Sequence, residues 1–252
     1  MKLYWKGDIL DERQARILVS EEAFLQGSAM VETMRVESGR ILHVDMHLER
    51  FTDAAKALLA PPMDAAAFRE IARHMVRINR LRQGSLRCRY FRDGSLLVHP
   101  LPRPRTPPAW KAGIRLITTV VRHYGPESLQ GRLKANSMLT NLLSRWESLA
   151  WAEDGLRLTP QGFVAEGIWS NILIEKRGTL LSPPLPMGVL AGTTRQAAIQ
   201  SWRRKGRLAK EMPLTRYDLY TADRAWACSS LRGLVKIREV DGRPIGRQGV
   251  IR

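Results

Sequence analysis

An α+β chain in two domains is what the sequence predicts, on three observations. Some segments alternate apolar and polar residues at strand spacing, while others repeat their apolar residues at helical spacing. The two kinds follow one another irregularly, unlike the strand–helix–strand succession of a parallel sheet. Five prolines in nine residues, from Pro100 to Pro108, form a stiff extended stretch that divides the 252 residues into 1–108 and 109–252.

The elements follow in order. Leu3-Tyr4-Trp5 leads into a turn at Lys6-Gly7-Asp8, and Met30–Val36 alternates before turning at Ser38-Gly39 into Ile41-Leu42, a hairpin pattern. Asp45 reads as the cap of a helix carrying Leu48, Phe51, Ala55, Leu58 and Leu59, stopped by Pro61-Pro62. A second helix starts after Asp64, with an apolar stripe of Phe68, Ile71, Ala72, Met75 and Ile78, and Gly84 follows it. Strands near 86–91 and 96–98 flank an Asp93-Gly94 turn. Beyond the prolines lie a strand at 114–121 and a helix from about Ser137 to Ala152. A hairpin over 170–175 and 179–181, a helix from Thr194 to about Arg204, a strand near 225–228 and a hairpin turning at Asp241-Gly242 complete the chain.

Hydrophobic residues make up 44% and charged residues 26% of the chain, enough to bury a core. No window approaches a membrane span, and the N-terminus breaks its apolar character at Lys6-Gly7-Asp8, unlike a secretory leader. Two cysteines, Cys88 and Cys228, make no disulfide framework and have no metal-ligand spacing. A cytoplasmic protein is expected. Its 41 basic residues, most of them arginine, against 24 acidic ones give a net charge of +17, which favours anionic partners. The basic residues are dispersed, and neither zinc-finger spacing nor an aromatic RNA-binding signature accompanies them. A small anionic substrate is therefore expected ahead of nucleic acid, with no membrane partner.

Familiar catalytic signatures are missing: no G-x-S-x-G elbow, phosphate-binding Walker loop, H-E-x-x-H or G-x-G-x-x-G occurs. His43 and His47 stand four apart, but a helix cap between them and the lack of further ligands argue against a metal. Three local features carry chemistry. Leu190-Ala-Gly192-Thr193-Thr194-Arg195 joins a strand end to a helix, where unpaired N–H groups and hydroxyls cradle an anion; a plain threonine cap is the alternative. Lys134, between Leu133 and Ala135-Asn136, is placed either to condense with an aldehyde or to lie on the surface. Glu166, before the Ser170–Ile174 strand, is either a buried carboxylate with a cationic partner or an exposed turn residue.

Taken in order, these features resemble the class IV aminotransferase family, the fold-type IV enzymes of pyridoxal 5'-phosphate that include branched-chain and D-amino acid aminotransferases. The resemblance runs through Gly27 and Val31-Glu-Thr-Met-Arg35, His47-Leu-Glu-Arg50, Lys134, Glu166-Gly-Ile-Trp-Ser-Asn171, Leu190-Ala-Gly-Thr-Thr-Arg195, Ser229-Ser-Leu-Arg-Gly233 and Arg238-Glu-Val-Asp-Gly242. It implies that Lys134 holds the cofactor covalently and moves protons at the substrate's α-carbon. Glu166 would face the pyridine nitrogen and keep it protonated, and Asn171 belongs to the same motif. Arg50, Gly192, Thr193, Thr194 and Ser229 would bind the phosphate, and a homodimer with active sites near its interface is expected. Departures from the pattern are Gly27-Ser28-Ala29 in place of Gly-Asp-Gly, and Leu139 where branched-chain enzymes place a tyrosine.

Family members are transaminases or lyases that convert 4-amino-4-deoxychorismate to 4-aminobenzoate and pyruvate, a step of folate biosynthesis. The Ser229-Ser230 loop and Leu139 look more like the lyases, and Thr33 is similar to the threonine assigned to protonate their departing fragment. Lyase activity is therefore the first expectation and transamination the second. Arg35, Arg87, Arg89, Ser230 and Arg232 are the candidate partners of a carboxylated substrate, with strand alternation placing Arg87 and Arg89 on one face.

Overall fold

The computed structural model describes residues 1–103 and 107–246, which form two compact units. Met1–Arg105 with Leu133–Ser137 make the first, and Thr106–Arg132 with Met138–Arg252 the second. Against the expected division at 108, Lys134 therefore belongs to the first unit and not to the C-terminal one. The reason is local. Leu133–Ser137 bridges to the edge of β3 through Ala135 and Met30, with Val31 N–H donating to Lys134 O and Asn136 N–H to Ala29 O, both at 2.7 Å.

The first unit contains β1 (Lys2–Trp5), β2 (Asp8–Asp11), α1 (Glu22–Gln26), β3 (Ala29–Glu37), β4 (Arg40–Ile41), α2 (Val44–Ala57), α3 (Ala65–Ile78), β5 (Gln83–Phe91) and β6 (Leu96–Pro102). Its six strands form an antiparallel sheet in the order β2-β1-β6-β5-β3-β4. Strand alternation turns Met30, Met34, Val36, Leu86, Cys88, Tyr90 and Val98 to one face, where α2 and α3 cover them with Leu48, Phe51, Phe68, Ala72 and Met75. β6 runs on through Pro100 and Pro102 into the expected linker. Only Leu97 and Val98 of β6 pair with β1, so a missing N–H is tolerated further along.

In the first unit, one of the two expected helix caps differs from the sequence reading. Asp64 caps α3, accepting from the N–H groups of Ala66 and Ala67 at 2.8 and 3.0 Å. Asp45, expected to cap α2, lies in its first turn instead, after a left-handed His43, and its carboxylate pairs with Arg69 of α3. Ile78, expected in the apolar stripe of α3, is exposed, and Val76 takes its place in the core.

The second unit contains β7 (Ile114–Thr118), α4 (Leu129–Arg132), α5 (Leu139–Ser148), β8 (Asp154–Leu158), β9 (Val164–Gly167), β10 (Asn171–Lys176) and β11 (Thr179–Ser182). α6 (Thr193–Arg204), β12 (Ala209–Glu211), α7 (Arg216–Tyr220), β13 (Arg224–Ser229), β14 (Gly233–Val240) and β15 (Arg243–Pro244) follow. The sheet runs β12-β11-β10-β13-β14-β7-β8-β9, and β9 pairs back onto β10 through Glu166 and Asn171. That contact closes a mixed barrel of β10, β13, β14, β7, β8 and β9. One face of its wall is an apolar core of Ile114, Leu116, Leu156, Val164, Ile172, Ile174 and Ile237. Across the wall, Leu173 and Cys228 pack with Ile199 of α6. The helix expected over 137–152 is shorter, and β8 and β9 are strands where none was expected.

Among the described residues, no helix is long and apolar enough to cross a membrane. Phe51 anchors the first core, edge-on to both Phe68 and Tyr90 at 6.0 and 6.1 Å. Phe51→Ala is expected to cost about 3–5 kcal/mol of unfolding free energy, read by denaturant titration.

Candidate cofactor and substrate site

Alternation along β3 sends Glu32 to the apolar face, between Met30 and Met34, where a carboxylate is stable only with donors around it. α2 supplies them one turn apart. Arg50 grips the carboxylate side-on, Nε to Oε1 at 2.6 Å and Nη2 to Oε2 at 2.7 Å, and His47 Nδ1 meets Oε2 at 2.6 Å. Burial pushes the Glu32 carboxyl up, but the Arg50 charge and these hydrogen bonds outweigh it and hold the group at about 2. Burial pushes His47 down, against the pull of the Glu32 carboxylate on its ring. Arg50, expected at a phosphate, thus has its guanidinium plane set by Glu32, and His47 is a hydrogen-bonding partner of that carboxylate.

The other face of the same sheet is cationic. Thr33 lies opposite Arg87, Val31 opposite Arg89, and Arg35 opposite Ser85. Pairing of Ala135 with Met30 puts Lys134 opposite Val31, on the face that carries Thr33, Arg87 and Arg89. Arg89 donates from Nε to Asn136 Oδ1 at 3.0 Å, and burial, with Arg87 nearby, pulls its guanidinium below the usual range. Arg35 pairs with Glu37 at 2.7 Å, and its buried Nε has no acceptor among the described residues. Four of the predicted residues, Lys134, Thr33, Arg87 and Arg89, are therefore brought onto one half-buried face.

In the second unit, Glu166 is buried on β9 and accepts on both oxygens. Arg157 Nη2 and His123 Nε2 each reach Oε1 at 3.0 Å; Asn171 Nδ2 and the Leu190 N–H each reach Oε2 at 3.2 Å. Burial raises the carboxyl, and the hydrogen bond from His123, the charges of His123 and Arg157 and the Leu190 amide bring it below its ordinary value. Of the two readings left open by the sequence, the buried carboxylate with cationic partners is the one found. Sequence reasoning missed Glu32, His123 and Arg157. For Glu32 a signal existed, since the alternation that buries Met30 and Met34 buries it too.

Asn171 Nδ2 also donates to Leu190 O at 2.9 Å, tying Glu166 to the segment that opens α6. Gly192 precedes the helix, and a side chain there would collide with Asn171 Oδ1. The close approach requires glycine. The helix begins at Thr193, one residue before the expected start, and Gly192 gives it no side-chain cap; the first turn of such a helix can receive an anion. Buried Thr193 meets Ser230 hydroxyl to hydroxyl at 3.2 Å, just beyond Ser229 at the end of β13. Arg232, expected at the substrate, is exposed and lies over the Trp110 ring at 4.2 Å.

The Glu32 cluster has a pH signature. Because its folded carboxyl is held at about 2 against an ordinary 4.5, its contribution to stability is complete above pH 4.5 and is lost as pH falls toward 2. Glu32→Gln is expected to flatten that part of the stability–pH curve. Glu32→Leu, which removes the buried carboxylate that both Arg50 and His47 bind, is expected to cost about 3–5 kcal/mol at pH 7 in denaturant titration.

Comparison with known proteins adds to this geometry. The family model described as amino-transferase class IV matches residues 29–240. A putative branched-chain-amino-acid aminotransferase of Methanocaldococcus jannaschii is 30% identical over 99% of this chain and 91% of its own length. The aminodeoxychorismate lyase of Bacillus subtilis is 27% identical over 98% of this chain and 89% of its own. Among solved structures, the branched-chain aminotransferase of Escherichia coli superposes with a TM-score of 0.92 at 23% identity, covering 98% of this chain and 88% of that one. A hypothetical aminotransferase from Mycobacterium tuberculosis gives 0.89 at 26% identity, covering 99% and 94%. With a family match spanning most of the chain and a fold shared along nearly its full length, the protein belongs to the class IV aminotransferase family.

Proposed function

We propose that this protein is an aminotransferase that moves an amino group between an amino acid and a 2-oxo acid, one of which carries a second carboxylate. As a family member it is a pyridoxal-phosphate-dependent enzyme. Its residues fit that group: an uncapped helix end with two threonines for a phosphate, a buried anionic carboxylate for a ring nitrogen, and a half-buried lysine for an aldehyde. When bound, the cofactor supplies an electron sink for the charge left at the substrate's α-carbon.

The chain's own groups then divide the work. Lys134 would hold the cofactor and, once released, carry the α-proton. In the second unit, Gly192, Thr193, Thr194 and Ser229 would fix the phosphate, and Glu166, held by Asn171, would face the ring nitrogen. Arg87 and Arg89 would bind substrate carboxylates, and Arg35 would bound that end of the face. The observation that carries the reading is the shared sheet face of Lys134, Thr33, Arg87 and Arg89. It offers two guanidinium groups beside the proton-moving amine, as a dicarboxylic amino donor needs. The relative with the higher identity of the two compared in sequence, at 30% against 27%, carries an aminotransferase name and supports the same choice.

A second reading, 4-amino-4-deoxychorismate lyase, is favoured by Thr33 on the Lys134 face and by Leu139 and the Ser229-Ser230 loop. It shares every cofactor role above, with Thr33 acting as proton donor to the departing fragment. A homodimer belongs to either reading. It is supported by the exposed apolar stripe of Leu139, Leu142, Leu143 and Trp146 on α5.

Purified protein is expected to show a visible absorption band with pyridoxal phosphate that borohydride abolishes, the adduct mapping to Lys134; Lys134→Ala loses both. Oxo-acid formation from a dicarboxylic amino donor, without pyruvate release from 4-amino-4-deoxychorismate, supports the transaminase. The reverse pattern replaces it with the lyase. Arg87→Met is expected to raise KM for the dicarboxylic substrate about 10–100-fold, with a smaller change for a monocarboxylic one.

A further inference from the structure

The protons around Glu166 can be counted from its partners. His123 lies between two acceptors. Its Nδ1 faces the backbone carbonyl of Tyr124 at 3.1 Å and its Nε2 faces Glu166 Oε1 at 3.0 Å. A carbonyl oxygen cannot donate, so Nδ1 carries a proton. Glu166 receives donors from Arg157 Nη2, Asn171 Nδ2 and the Leu190 amide, an environment that suits a carboxylate and leaves the proton of the remaining contact to the imidazole. Both ring nitrogens then hold hydrogen, and His123 is only 3% exposed.

We infer that His123 is carried as a buried imidazolium and acts as a positioning residue that shares the negative charge of Glu166 through its Nε2–H. The inference rests on the cofactor reading above for its consequence, but not for the protonation itself. The groups facing the pair come from each neighbouring element: Arg157 from β8, Asn171 from β10, Cys228 from β13 and the Leu190 amide before α6. The Cys228 thiol is pushed up to about 12, chiefly by burial, and so contributes no charge. Arg157, 2% exposed, spends only Nη2 on the carboxylate, and its Nε and Nη1 find no acceptor among the described residues. Two cations against one carboxylate leave the cluster with one net positive charge.

A ring nitrogen placed against Glu166 therefore meets a carboxylate whose negative charge is already shared. Its hold on a proton is weaker than beside a lone glutamate, and part of that weakening belongs to His123. A neutral side chain at 123 should make Glu166 more basic and keep the ring nitrogen protonated to higher pH.

Two measurements test this separately. Nitrogen-15 spectra of histidine-labelled protein, with pyridoxal phosphate bound and without it, are expected to show both His123 nitrogens protonated at pH 7.5; a single-proton tautomer would overturn the inference. His123→Gln and His123→Asn, loaded with pyridoxal phosphate carrying nitrogen-15 in its ring, are expected to titrate at that nitrogen about one pH unit higher than the parent. A shift of either variant below the parent, or none, would also overturn it. Failure of the protein to bind pyridoxal phosphate at all would instead defeat the cofactor reading, with the first measurement still deciding the state of His123. Should Gln fail to fold, the Asn variant and the spectra of the parent protein carry the test.

Discussion

A carboxylate cannot be buried without donors on its lone pairs, and the second unit is organised around meeting that requirement at Glu166. Glu166 and Asn171 are the register pair through which β9 meets β10, so the contact that closes the barrel also brings an amide nitrogen to the carboxylate. Arg157, opposite Glu166 on β8, supplies a cation from the other side. Asn171 reaches on to the Leu190 carbonyl, which fixes the chain as it enters α6 and leaves room only for glycine at 192. Barrel closure, the buried charge and the start of α6 are thus one mechanical unit.

The first unit solves the same problem with different parts. Glu32 stands on an apolar sheet face and takes its donors from two positions of one helix, His47 and Arg50. In both places the glutamate needs its cation for solvation. The cation in turn gains a fixed orientation, which a long flexible side chain lacks by itself. Orientation, more than net charge, is what these pairs contribute to a site.

Much of this was legible in the sequence, for reasons that differ by element. Alternation revealed β3 and β5, and with them the common face of Arg87 and Arg89; Asp64 marked its helix because its carboxylate can reach two amides. β8 was hidden because all five of its residues are buried, so no polar–apolar alternation marks it. Barrel closure was equally hidden, since a single register pair five residues apart has no periodic signature. His123 and Arg157 were invisible for the same reason, because their partner is chosen by the closed barrel and not by neighbours in the chain. The helix start at Gly192-Thr193-Thr194 was readable from local chemistry. The unit to which Lys134 belongs was not, because that depends on a five-residue return to a distant strand edge.

That return has a consequence for how such a chain can be divided. Leu133–Ser137 is encoded inside the second unit's stretch of sequence but hydrogen-bonds to β3 of the first. A gene fragment ending at the proline-rich stretch would yield the six-stranded sheet without its lysine and with a bare edge at Ala29–Val31. The remaining fragment would carry the lysine with no strand to hold it. Fragment exchange between relatives, or expression of one half alone, would separate Lys134 from the strand edge that its segment pairs with.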